Sequence, residues 1–206
     1  MAGTKSGGKG RVEDMTKRFH WTRVMLLLAA LWLAGGLGAG TPTQAAGLSE
    51  PIFEAPALIT SVGQSADGQL VKVLADRVGI SYQYDAMAAP GAVKDFKTLI
   101  LVVGGSSKGL GAAGINQDQE EARAKTLIAA AAEAGTKILF MHVGGEARRG
   151  DLTDRFVTIT APAAQYLIVV ADGNKDNFMT NAAGANPLDM AETVGDAGRF
   201  LKAAFK

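Results

Sequence analysis

Apolar and polar positions alternate in blocks along most of this chain, and the blocks have two different periods. Residues 57–62 form a strand-like run closed by Gly63. In 66–78, Leu70, Leu74 and Val78 recur at helical spacing with Val71 beside them, and Gly79 stands where a left-handed helix end wants glycine. A short strand is expected over 80–84. Residues 98–103 are apolar almost throughout, which suits a strand covered on both faces. Asn116 with Gln119 three residues on reads as a capping box, and the alanine-rich helix that follows ends at Gly135. A fourth strand is expected over 137–143, a helix over 151–161 and a fifth strand over 166–170. A short helix over 175–183, an extended run over 187–190 and an amphipathic helix over 193–204 complete the pattern. Strand–helix alternation of this kind predicts an α/β fold with right-handed crossovers. The expected architecture is three-layer and doubly wound around a mainly parallel, five- to six-stranded sheet. Flavodoxin-like and Rossmann-like strand orders both remain open.

The first 46 residues break this alternation. Lys17, Arg18 and Arg23 precede an apolar run over 24–33, which relaxes into Gly35, Gly36 and Gly38 and then Thr41 to Ala46. A basic segment, a short apolar core and a small-residue zone describe a secretory signal peptide. Residues 1–46 are therefore expected to be removed, leaving a single α/β domain over 47–206, soluble and exported to the periplasm or beyond. Contact with a membrane is expected only through the leader before cleavage. The alternative is an uncleaved anchor helix, for which the apolar core is short.

Composition sharpens this picture. The whole chain of 206 residues carries 21 Lys and Arg against 20 Asp and Glu. Residues 47–206 retain 15 and 18 of these, a net charge of −3, so the apparent basicity belongs to the leader. Nucleic acid is not an expected partner. With no cysteine, disulfides, thiolate metal sites and a cysteine nucleophile are excluded. Asp151, Asp172 and Asp176 lack the spacing of a calcium loop, and no metal or cofactor is expected.

The unusual residues follow the strands. They are Gly63 and Ser65 after the first; Gly104, Gly105, Ser106, Ser107, Lys108 and Gly109 after the third; His142, Gly144, Gly145, Arg148 and Arg149 after the fourth; and Asp172 and Lys175 after the fifth. In a doubly wound sheet these loops share the edge where ligands bind. Gly109, Gly111 and Gly114 match G-x-G-x-x-G, but too far from the strand for a dinucleotide fingerprint. Gly104 and Gly109 are spaced as in a P-loop, with Lys108 on the wrong side of the second glycine and no Ser or Thr for Mg²⁺. Ser65 resembles a nucleophile-elbow serine, with Asp67 where that motif needs glycine; a helix N-cap is the simpler reading of Ser65.

The motifs at 104–115, 142–150 and 172–176 together resemble domain-of-unknown-function family 6305, an uncharacterised family of exported bacterial domains. The resemblance covers about 55–206. It implies the domain boundaries and export, and it transfers no activity and no catalytic residue. Three functions stay open. The first is binding or sensing of a small polar or anionic ligand by the glycine-rich loops with Lys108, Arg148, Arg149 and Lys175. The second is a hydrolase using Ser65, Ser106 or Ser107 with His142 and Asp172. The third is an interaction module for a protein partner.

Overall fold

A computed structural model describes residues 48–206. The expected leader over 1–46 lies outside the described residues. The strands are β1 (Ala57–Val62), β2 (Tyr82–Tyr84), β3 (Thr98–Val103), β4 (Lys137–His142), β5 (Tyr166–Val170) and β6 (Leu188–Ala191). All pair in parallel, in the order β2-β1-β3-β4-β5-β6. Of the two strand orders left open, this is the flavodoxin-like one with one strand added. The chain turns back between β1 and β3, where β2 lies to one side and β4 onward to the other.

The helices are α1 (Asp67–Val78), α2 (Ser107–Ala112), α3 (Gln117–Ala134), α4 (Asp151–Thr160), α5 (Phe178–Ala183) and α6 (Val194–Ala204). Alternate residues of the central strands feed two cores. Leu99, Leu101 and Val103 of β3 pack with α3, α4 and α5, whereas Ile100 and Val102 pack with α1 and α6. β4 and β5 divide in the same way: Phe140 and Leu167 enter the first core, Met141 and Ile168 the second. Both faces of the sheet are thus covered, which is why these strands read as continuous apolar runs.

Local chemistry sets the boundaries. The capping box at Asn116 and Gln119 is formed. A second one, Thr193 with Asp196, starts α6. β2 begins later than expected because the Ile80 N–H closes the end of α1 on the Ala75 carbonyl instead of joining the sheet. The buried stripe of α1 is Val71, Leu74 and Ala75, and Leu70 faces outward. Ser65 is not the N-cap of α1. That position is Ala66, and the Ser65 hydroxyl accepts from the Asp67 N–H one residue further on, at 3.3 Å. The ends of the domain meet: Phe53 pairs with Phe205, and the Lys206 N–H donates to the Phe53 carbonyl at 3.0 Å.

Candidate functional site

The loops after β1 and β3 are stitched to each other by backbone. Ser65 N–H donates to the Gly104 carbonyl at 3.2 Å, Ser106 N–H to the Gly63 carbonyl at 2.8 Å, and Gln64 bridges Gly105. The glycines permit this closeness. A Cβ on Gly63 would fall 2.5 Å from the Gly104 carbonyl oxygen, and one on Gly109 1.9 Å from that of Gln64. Gln64 itself is left-handed, at φ 56°, a region few side-chain-bearing residues occupy. A strut holds it there. Glu120, fully buried in the first turn of α3, accepts from the Gly63 N–H at 2.8 Å and from the Gln64 amide at 3.0 Å. Arg123 binds Glu120 through Nε at 2.8 Å and Nη2 at 2.9 Å, and also donates to the Ser61 and Ala88 carbonyls. Burial pushes the Glu120 carboxyl up, but the Arg123 hydrogen bonds and charge, with the Gly63 and Gln64 donors, outweigh it and hold the group below the usual glutamate range.

Asp67 opens α1 beneath this junction and is 4% exposed. Its Oδ2 lies over two bare backbones: a Cβ on Gly104 would fall 2.8 Å from it, and one on Gly144 2.6 Å. No hydrogen-bond partner reaches Oδ2. The Arg148 Nε stands 3.6 Å from Oδ1, beyond hydrogen-bond reach. Arg148 is 39% exposed, its stem crosses Gly144, and its guanidinium makes no hydrogen bond among the described residues.

Arg149 is the opposite case. It grips Asp154 through Nε at 2.9 Å and Nη2 at 3.1 Å, and Asp176 through both terminal nitrogens at 2.9 and 3.0 Å. It also donates to the Gly173 carbonyl at 2.6 Å and lies 5.1 Å over the Phe178 ring. These partners push its basicity further up, and Asp176 is held down to about 2, first by Arg149 and then by the Phe178 N–H. Lys175 is exposed and paired with Glu146, which raises the ammonium and lowers the carboxyl.

The hydrolase residues occupy other roles. His142 is fully buried; Nδ1 meets the Val103 carbonyl at 2.9 Å and Nε2 the Gly145 carbonyl at 3.1 Å. Ser106 caps α2, accepting from the Gly109 N–H at 3.0 Å. Asp172 is exposed, against the Gly145 backbone. No hydrogen bond joins His142 to Ser106 or Asp172.

A family model described as a domain of unknown function, DUF6305, matches residues 54–205. The chain belongs to this family. No curated protein and no solved structure matches the chain at a significant level. The resemblance read from the motifs and the family match agree. In this DUF6305 domain Gly63, Ser65, Gly104, Gly105, Gly109 and Gly144 come together at the β1/β3 junction with Asp67 and Arg148. Asp172, Arg149 and Lys175 line a neighbouring cleft of about 350 Å³, which Glu146, Asp154 and Asp176 make predominantly acidic, and the Gly145 backbone lies against Asp172. Ser107 and Lys108 are exposed on α2, a helix the sequence reading took for loop, and Lys108 has no ion pair among the described residues. No metal-holding group of His, Asp and Glu occurs among the described residues, and none of their helices is long and apolar enough to cross a membrane. Asp67, Glu120 and Arg123 were missed as site residues. Asp67 and Glu120 read as ordinary acids of helix first turns, and only three-dimensional proximity distinguishes them.

Proposed function

We propose that this DUF6305 domain is exported and binds, and thereby senses, a small polar molecule carrying an anionic group, in the crevice outside the carboxyl ends of β1 and β3. In a doubly wound sheet that crevice is the switch point at which ligands dock. The observation that carries the reading is Arg148: a guanidinium at the junction with open donors, beside a carboxylate it does not hydrogen-bond. Lys108, exposed on α2, adds a further cation. Arg149 and Lys175 are discounted as ligand contacts, because their own carboxylates already hold them.

Binding is favoured over hydrolysis by the state of His142. Both ring nitrogens face backbone carbonyls, so neither is available to accept a serine proton. The test is thermal denaturation of the full chain with phosphate, sulfate and small carboxylates. A ligand at a hundred times its Kd adds about 2.7 kcal/mol to stability. Arg148→Ala should weaken such a ligand about tenfold or more, since a charge-assisted hydrogen bond is worth about 1.5–3 kcal/mol, with a smaller loss for Lys108→Ala. Ester or phosphoester hydrolysis that vanishes in His142→Ala would replace binding with catalysis.

A further inference from the structure

We propose that the crevice takes a zwitterion of the α-amino-acid type, its ammonium donating to Asp67 Oδ2 and its carboxylate held by Arg148. This deepens the binding reading above and rests on it. Asp67 is 4% exposed, yet Oδ2 has no hydrogen-bond partner. A buried carboxylate oxygen without a donor is unfavourable and rare in a folded chain. The oxygen faces bare backbone at Gly104 and Gly144, where any side chain would collide with it. The Ser65 side chain flanks it on the Gly104 side and the Arg148 stem on the Gly144 side, and the Arg148 side chain is held by no hydrogen bond. Swinging Arg148 outward uncovers an acceptor and presents a forked donor beside it.

The pair also selects charge. Asp67 and Arg148 sum to zero at a separation of 3.6 Å. A simple anion meets Arg148 but is repelled by Asp67, and a simple cation meets the reverse. A molecule with an ammonium next to a carboxylate satisfies both, with charge-assisted hydrogen bonds at each end. An ammonium without N–H groups, as in glycine betaine, offers Oδ2 no donor.

The experiment is thermal denaturation of the full chain against the twenty proteinogenic α-amino acids, with propionate, ethylamine, glycine betaine and glycerol alongside. At least one amino acid should raise Tm by several degrees, and the four controls should not. Asp67→Asn and the half-exposed Arg148→Ala should each weaken that amino acid tenfold or more; Arg148→Ala serves if Asp67→Asn fails to fold. A shift by propionate that survives Asp67→Asn and is lost in Arg148→Ala leaves anion binding standing and overturns the zwitterion. An equal shift by glycine betaine or glycerol overturns it too. No shift with any probe, phosphate and sulfate included, removes both readings.

Discussion

Gly109 and Gly111 lie two residues apart on α2 and should answer the same substitution oppositely. A methyl on Gly109 meets the Gln64 carbonyl oxygen at 1.9 Å, and backbone cannot step aside as a side chain can. Gly109→Ala should therefore cost at least about 1–3 kcal/mol, the usual penalty of overpacking. A methyl on Gly111 meets nothing within 4 Å, and Gly111→Ala should be neutral or gain up to about 1 kcal/mol from reduced chain freedom. Urea midpoints of the two variants decide the matter. A similar loss in both would mean that α2 does not press on the β1 loop. The contrast also separates packing glycines from ligand glycines, which the sequence reading grouped together. Gly63, Gly105 and Gly109 each meet the backbone of another segment that excludes a side chain, so their presence is accounted for by packing.

At the scale of elements, the Glu120–Arg123 strut ties α3 to the end of β1 across 57 residues of sequence. Glu120→Gln should leave the Arg123 guanidinium, on a side chain only 12% exposed, without its countercharge. Breaking such a buried pair costs about 3–5 kcal/mol, measurable as a shift in the denaturation midpoint. The pH dependence has a definite sign. Because the folded carboxyl sits below its ordinary value of 4.5, its contribution is complete above that pH and disappears as pH falls through the lowered folded value. The variant should accordingly show a shallower loss of stability on the acid side, and an acid limb identical to the parent's would contradict the strut. The elements themselves were legible because each carries its own local signal: β3 its apolar run, α3 its capping box, α6 its amphipathic stripe. α2 was hidden because its signal is one serine cap among glycines. The strut was hidden because Glu120 looks, within its own helix, like any first-turn acid. Its partners Gly63 and Gln64 come from another element altogether.

For the whole molecule, the doubly wound layout was readable from alternation, whereas strand order was not, since parallel neighbours leave no mark on each other's sequence. The gathering of the βα loops at the carboxyl edge of the sheet was readable because topology decides it. The chemistry of that edge was only partly readable. Arg148 and Arg149 are adjacent in sequence, yet one is held by two carboxylates and the other by no hydrogen bond. The proposed export is tested at this scale as well. Mass spectrometry of the protein from its native host should find an N-terminus at Ala46 or Gly47. Membrane-bound protein with Met1 intact would overturn the proposal of a soluble exported form.

The meeting of Phe53 with Phe205 makes the domain nearly a closed circuit. Their rings are 5.8 Å apart, the Ile52 and Phe53 N–H groups both donate to the Ala204 carbonyl, and Lys206 reaches Glu54 at 2.7 Å. A circuit of this kind can be opened elsewhere without disturbing either core. A circular permutant joining residues 206 and 50 by a few glycines and serines, and opened in the exposed turn between Gly184 and Ala185, should keep the parent circular dichroism and cooperative unfolding. The same closeness makes the domain portable: grafted into a surface loop of a reporter enzyme, it would deliver both attachment points side by side.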